Sequence, residues 1–328
     1  MLVDIANEQV VTEDVAIAII VDKIDKQLFD RIDSRCTVKL FGRELGSRSL
    51  TPWIKLNLFL FHYKPDIIHF HLENLRKMVF NPAPKVFTIH NMWTSGKEYP
   101  RFQALYAISD GVRNHTKEQG FEATTVWNGI RTKDIKVRES ELYHPGKICN
   151  IVCVGRLYTK HKGQDLLLRS LALIKSQGMA NFHLDMIGDG DSLGLLDGMI
   201  KDLGIEDNVT MLGLRDRSYV YQHLCDYDLY VLPSRSEGFG LSVAEAMCAK
   251  IPVLVCDLEG VTDVIDGGRL GMVFKTGDVD SLSQAIACFM QNGESKAIIN
   301  EAYNYAISHF DVSKTAKHYI QEYKKIIQ

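Results

Sequence analysis

The sequence predicts an α/β protein built from two domains, each a parallel sheet wrapped by helices. Three observations carry that expectation. Short apolar runs alternate with helical stretches from one end of the chain to the other. Those runs are continuous in Val, Ile and Leu, as strands buried on both faces are. The length, 328 residues, exceeds what one hydrophobic core usually organises.

The chain opens with a helical pattern, MLVDIANEQV, in which Leu2, Ile5, Ala6 and Gln9 share a face. Strand signals then fall at Val15–Val21, Thr37–Phe41, Ile67–Phe70, Lys85–Ile89, Tyr106–Ile108 and Thr124–Trp127. Helical patterns over Leu50–Tyr63 and Asp110–Gln119 lie among them. In the second half the strands read Asn150–Val154, His183–Ile187, Val209–Leu212, Leu229–Leu232, Val253–Cys256 and Gly271–Phe274. After Gly277 the pattern is helical to the end, with Asp311 or Ser313 suited to cap the last helix. The polar stretch Arg131–Lys147 contains Pro145-Gly146, has no apolar periodicity, and follows the Asn128-Gly129 turn signal. It reads as a linker. The expected domains are therefore 1–140 and 147–310, with a helix at 311–328 that returns to the first.

Composition narrows the function classes. A hydrophobic content of 46% with 24% charged residues excludes extended disorder and fibrous sequences. A balance of 38 basic against 41 acidic side chains argues against a dedicated nucleic-acid binder. Residues 1–146 hold 20 basic and 18 acidic residues, the remainder 18 and 23, so the first half is slightly basic. Seven cysteines occur without a CxxC pair, and Cys149, Cys153 and Cys256 fall in apolar strands. They are expected to be buried thiols of a cytoplasmic protein. The best apolar run, Val15 to Val21, is far short of the roughly 18 residues of a membrane span. The apolar stretch Trp53–Phe61 reads as a core helix, having too few basic residues for an interfacial one.

Two segments carry chemistry. In Pro233-Ser-Arg-Ser-Glu-Gly-Phe-Gly-Leu-Ser-Val-Ala-Glu-Ala-Met247 a strand ends, a glycine loop follows and a helix begins near Leu241. The N–H groups of Gly238 to Leu241 then sit at a helix N-terminus, where oxygen-rich ligands are favoured. Gly238 and Gly240 let the backbone approach a ligand closely. Glu237 lies in the loop, and Glu245, on the helix, suits a diol such as a ribose. In Val154-Gly155-Arg156-Leu-Tyr-Thr-Lys-His-Lys162-Gly163 a second strand, loop and helix bring Arg156 and Lys162 toward one anion, a diphosphate by their spacing. Asp189-Gly-Asp191 follows a strand and reads as a turn rather than a metal-binding pair. No metal and no cofactor is expected. His69 and His71 flank Phe70 on a strand and so point to one side of it.

The GRLxxxKG run together with EGFGLSVAE resembles the retaining glycosyltransferases of family four, also called glycosyl transferases group 1. Lesser matches fall in order at Pro65–His71, Thr88–His90, Ile108-Ser109, Asn128–Ile130 and Ile187–Gly190. The resemblance implies the GT-B fold: two Rossmann-like domains facing a cleft. It implies a nucleotide-diphosphate sugar as donor substrate, bound by Gly155, Arg156, Lys162, Glu237, Gly238, Phe239, Gly240, Leu241 and Glu245. Arg156 and Lys162 would neutralise the diphosphate, Glu237 and the N–H groups of 239–241 would hold the sugar, and Glu245 the ribose. His90 would face the donor sugar from the first domain, so the implied catalytic set is Glu237, His90, Arg156 and Lys162. The leaving phosphate oxygen would serve as base, with no carboxylate nucleophile of the glycosidase kind. The implied acceptor is a bacterial surface glycan of the capsule, O-antigen or lipopolysaccharide type, carried on a lipid or growing as a chain. Peripheral contact with the inner face of the membrane goes with such an acceptor.

Relatives begin with a strand and a Gly-Gly loop leading into the first helix. This chain opens on the helix. The N-terminal domain is thus expected to lack its first strand, a shortfall of roughly 15–20 residues. Two rival readings stay open, a nucleotide-sugar 2-epimerase on the same fold and a donor-binding protein that has lost catalysis. A Rossmann dehydrogenase is disfavoured, because no GxGxxG follows a first strand.

Overall fold

In the computed structural model, which describes residues 1–139 and 141–328, every ladder between strands is parallel. The chain divides into two units, Met1–Ile130 with Phe310–Gln328, and Arg131–His309.

The strands of the first unit are β1 (Ala16–Val21), β2 (Thr37–Arg43), β3 (Ile68–Phe70), β4 (Lys85–Ile89), β5 (Ala104–Ala107) and β6 (Thr124–Thr125). They form two sheets, β1-β2 and β3-β4-β5-β6. The helices are α1 (Leu2–Gln9), α2 (Lys26–Phe29), α3 (Thr51–Tyr63) and α4 (Asp110–Glu118). α1 serves both sheets: Ile5 packs with Val86, Tyr106 and Val126, whereas Ala6 and Val10 pack with Cys36 and Val38. α4 starts where Ser109 accepts a hydrogen bond from the Val112 N–H, satisfying a donor that the helix itself leaves unpaired. α3 carries Pro52 in its first turn and stops at Lys64, whose backbone is left-handed.

In the second unit β7 (Cys149–Val154), β8 (Phe182–Ile187), β9 (Val209–Gly213), β10 (Leu229–Leu232), β11 (Val253–Cys256) and β12 (Met272–Phe274) make one sheet in the order β12-β11-β10-β7-β8-β9. Its helices are α5 (Thr159–Lys162), α6 (Gln164–Ser176), α7 (Leu193–Asp202), α8 (Arg217–His223), α9 (Leu241–Cys248), α10 (Glu259–Thr262), α11 (Val279–Asn292) and α12 (Lys296–His309). The chain runs outward from β7 through β8 to β9, then returns to β7's other side with β10. That reversal opens a crevice at the carboxyl ends of β7 and β10, the usual ligand position in an open parallel sheet.

The last helix, α13 (Val312–Ile327), belongs to the first unit, where Val312, Ala316 and Tyr319 pack on Val86 and Tyr106. Asp311 caps it, accepting from the Ser313 N–H. Gly129 is needed here, since a Cβ on it would lie 2.6 Å from Val312 Cα.

Two expectations change. The stretch read as a linker from Arg131 joins the second unit: Ile135 is buried, Lys136 N–H donates to Tyr221 O, and Arg138 is ion-paired with Asp228. The division thus falls after Ile130, and the expected boundary residue 140 lies outside the described residues. The core-helix reading of Trp53–Phe61 holds for one face only. Trp53, Leu56 and Leu60 are buried on the sheet, while Ile54, Leu58 and Phe61 are exposed.

Candidate active site

The loops after β7 and β10 are tied together at several points. Lys162 Nζ donates to Glu237 Oε2 at 2.5 Å. Arg235 grips Asp165 with both guanidinium nitrogens at 2.7 Å and also donates to Thr159 O. The N–H groups of Arg235 and Ser236 donate to His161 O. Gly163 lets the loops touch, because its φ is +65° and a Cβ there would lie 1.9 Å from Pro233 O. The segment Thr159–Lys162, read from sequence as loop, is a single helical turn (α5) that places Lys162 beside Glu237.

Gly240, at φ +87°, is the N-cap of α9, and Phe239 beside it is 2% exposed. In the first turn of α9 the N–H groups of Val243 and Ala244 donate to Gly240 O, and those of Leu241 and Ser242 stand where a helix offers no internal partner. Gly238 is buried in the same loop. Glu245 lies one turn further, accepting from Tyr221 OH at 3.1 Å, and burial with the Glu245 charge pushes the Tyr221 phenol up.

Arg156 is exposed, with Asp191 Oδ2 3.4 Å from its Nη2. It borders an open pocket of about 490 Å³, lined also by Val154, Gly155, Gly188–Gly190, Leu214 and Arg215. Asp189 bends the rim, its carboxylate accepting from the Gly190 N–H at 2.7 Å while its carbonyl accepts from Leu157 N–H. Gly188 and Gly190 leave no room for side chains: a Cβ would stand 1.9 Å from Gly155 O and 2.4 Å from Leu157 O. Among the described residues no group of three or more His, Cys, Asp or Glu side chains is arranged to hold a metal ion.

In the first unit, His71 and His90 follow adjacent strands, β3 and β4, with His71 Nδ1 2.9 Å from His90 Nε2. His69 stacks on His71 at 4.4 Å and bonds to Tyr323 OH and Thr88 Oγ1. Burial, then the neighbouring His90 and the Met1 amine, pushes His71 down to about 3. Burial and the same amine bring His90 to about 4, and burial also holds His69 well below the usual imidazole range. All three rings are neutral near pH 7.

The family described as "Glycosyl transferases group 1" matches residues 137–305, more than half of the chain. The chain belongs to that family. The N-terminal part, residues 8–134, matches "Glycosyltransferase Family 4". Among individual relatives, a phosphatidyl-myo-inositol mannosyltransferase of Mycobacterium leprae is 23% identical over 80% of this chain and 74% of its own length. The amylovoran biosynthesis glycosyltransferase AmsK of Erwinia amylovora is 28% identical over 50% of this chain and 40% of its own. The chain thus spans about three quarters of the first relative and less than half of the second. Among solved structures, Anabaena HepE, crystallised with UDP and glucose, is superposable with a TM-score of 0.80 at 20% identity, covering 99% of this chain and 95% of its own. Sucrose-phosphate synthase from Thermosynechococcus elongatus has a TM-score of 0.79 at 15% identity, covering 98% and 91%. The fold is GT-B, and the protein is a group 1 glycosyltransferase.

The sequence singled out Gly155, Arg156, Lys162, Glu237 to Leu241 and Glu245 in this group 1 chain; the first three lie on the segment that follows β7, Glu237 to Gly240 on the loop after β10, and Leu241 and Glu245 on α9. His90 lies in the other unit. Sequence reasoning passed over Arg235, Asp165, Tyr221 and Arg215. Arg215 follows the strand-ending Gly213, a position the sheet's topology marks. The Arg235–Asp165 pair left no local signal, since 70 positions separate its members.

Proposed function

We propose that the protein transfers a sugar from a nucleotide-diphosphate sugar to a bacterial surface glycan of the capsule, O-antigen or lipopolysaccharide type, with retention of anomeric configuration. The observation that carries this is the Lys162–Glu237 pair that joins the segments following β7 and β10, at the switch point of a six-stranded parallel sheet in a glycosyltransferase chain. In the reaction the bond from the sugar's anomeric carbon to the diphosphate oxygen breaks, and a bond to the acceptor hydroxyl oxygen forms on the same face. The acceptor proton passes to the departing phosphate oxygen. Lys162 and Arg156 stabilise the charge that gathers on the diphosphate, which a site of fixed charges does more cheaply than water. Glu237 holds the sugar hydroxyls with the N–H groups of 239–241, and Glu245 takes the ribose diol. The pocket bordered by Val154, Leu214 and Arg215 has the volume and mixed lining for the nucleoside end. No metal takes part in this scheme, and the protein works in the cytoplasm at the inner face of the membrane.

Two names among the relatives support the acceptor class: that of the M. leprae protein specifies phosphatidyl-myo-inositol, and that of AmsK specifies amylovoran biosynthesis. The test is product analysis by mass spectrometry with UDP-, GDP- and ADP-sugars and lipid-linked or glycan acceptors. A glycosylated acceptor with retained configuration, absent from Lys162→Ala, is expected. Epimerised free donor, or nucleotide binding without any turnover, would replace this reading.

A further inference from the structure

Glu245, read as the ribose ligand, is tied to a second helix. Its Oε1 accepts from the Tyr221 hydroxyl at 3.1 Å, across 24 positions of sequence. Tyr221 lies on α8 and is 3% exposed. It is fixed from several sides. Its carbonyl accepts from the Lys136 N–H at 2.9 Å, and the Arg217 guanidinium stands 4.9 Å from its ring centroid. Close packing of a buried ring leaves it few rotamers. Val220, the preceding residue, lines the open pocket that Arg156 borders.

The pair has a direction. Burial, and then the Glu245 charge, pushes the Tyr221 phenol up, so it keeps its proton and donates throughout the neutral range. Glu245 is half-buried, and an unrestrained glutamate would give up its rotamer freedom on taking a ligand. A rigid donor behind the carboxylate removes that cost before the ligand arrives. A carboxylate offers about four lone-pair sites, so one bond from Tyr221 leaves acceptor capacity for both hydroxyls of a vicinal diol.

We propose that Tyr221 is a positioning residue: it orients the Glu245 carboxylate toward the ribose diol and thereby sets a preference for ribonucleotides over deoxyribonucleotides. The inference rests on the reading of Glu245 as the ribose ligand, and Tyr221 acts through Glu245 alone. A merely structural tie between α8 and α9 would instead change every nucleotide affinity in the same proportion. The experiment is calorimetric titration of UDP, GDP and ADP, and of their 2′-deoxy counterparts, into the wild type, Tyr221→Phe, Glu245→Ala and the double variant. Phenylalanine keeps the ring and removes only the hydroxyl. The wild type is expected to favour the ribonucleotide by about tenfold or more, the range for a hydrogen bond to a charged group. Tyr221→Phe is expected to bring that ratio to about threefold or less, by weakening the ribonucleotide while leaving the 2′-deoxy form unchanged. In the Glu245→Ala background Tyr221→Phe is expected to change nothing further. A preference that survives Tyr221→Phe, equal losses for both nucleotides, or a further loss in the Glu245→Ala background overturns the inference alone. A wild type that binds both forms equally overturns the ribose reading and the inference with it. Absence of binding by all three diphosphates overturns the nucleotide-sugar reading as a whole.

Discussion

Lys162 and Glu237 lie 75 positions apart, yet their side chains meet at 2.5 Å, half-buried between the loops that follow β7 and β10. Each therefore holds the other in place before any ligand arrives. In the proposed reaction, a donor diphosphate entering this crevice would meet a cation already oriented by a carboxylate, and a carboxylate whose charge is already offset.

Removing either group should be costly and non-additive. Lys162→Ala and Glu237→Ala are each expected to lower turnover by about 100- to 1,000-fold, the range for losing one preorganised charge at a reacting centre. Each single variant also leaves its partner's charge uncompensated. The double variant is thus expected to lose less than the two single losses combined. Steady-state kinetics on the four proteins measures the coupling, and strict additivity would show that the pair does not act as a unit.

Gly163 holds the two loops at their spacing. Gly163→Ala introduces a Cβ 1.9 Å from Pro233 O at φ +65°, so the loops must separate. A fall in Tm of about 5 °C or more is expected, at roughly 2–4 °C per kcal/mol for a unit of this size. Calorimetry reads it directly, and an unchanged Tm would mean that the loops yield without cost.

The Arg138–Asp228 pair is the buried ionic tie of the second unit, both side chains under 10% exposed. Asp228 also accepts from the Asn150 N–H at 2.9 Å, and Arg138 donates to Tyr227 O at 2.7 Å. Asp228→Ala strands a buried guanidinium and is expected to cost about 3–5 kcal/mol. Denaturant titration reports it. A cost below about 1 kcal/mol, the ceiling for exposed pairs, would contradict the buried reading.

Acid should weaken the first unit through its histidines. Burial lowers His71 to about 3 and His90 to about 4, from 6.5 in the unfolded chain, and His69 moves the same way. The unfolded chain thus binds more protons in the window between 6.5 and those values. The stability from keeping the rings neutral is complete above pH 6.5 and is lost as pH falls toward 4. The expected slope is up to about 1.4 kcal/mol per pH unit for each ring. A Tm that declines from pH 7 to 5, with a shallower decline in His71→Phe, is the expected calorimetric result. A flat profile would mean that the rings titrate normally.

Thiol chemistry offers a separate check. Of the seven free cysteines only Cys288 is exposed, and burial pushes Cys153 and Cys256 up to about 12. An aromatic disulfide reagent is expected to modify one thiol quickly in the native protein and the other six only on unfolding. Two or more fast thiols would contradict the packing.

Sequence patterning located nearly every strand because continuous Val, Ile and Leu runs have few other uses in a chain of this length. Lys85–Ile89, Leu229–Leu232 and Val253–Cys256 match residue for residue. The site loops were legible because glycine, Arg, Lys and Glu fall at fixed distances from strand ends. What depended on distant partners was not. Nothing near His69 announces Tyr323, 254 positions away, nor does Asp165 announce Arg235. The two faces of α3 were illegible for a different reason. Both are apolar, and only the position of the sheet shows which one is covered.

The central claim, that the crevice between the β7 and β10 loops binds a nucleoside diphosphate through Lys162 and its neighbours, is tested most directly by calorimetric titration. UDP, GDP and ADP are titrated into the wild type, Lys162→Ala and Glu245→Ala. One of the three nucleotides is expected to bind the wild type with a Kd in the micromolar range, about −8 kcal/mol. Both variants should weaken that binding at least tenfold. Failure of all three nucleotides to bind, or equal binding by the wild type and Lys162→Ala, would contradict it.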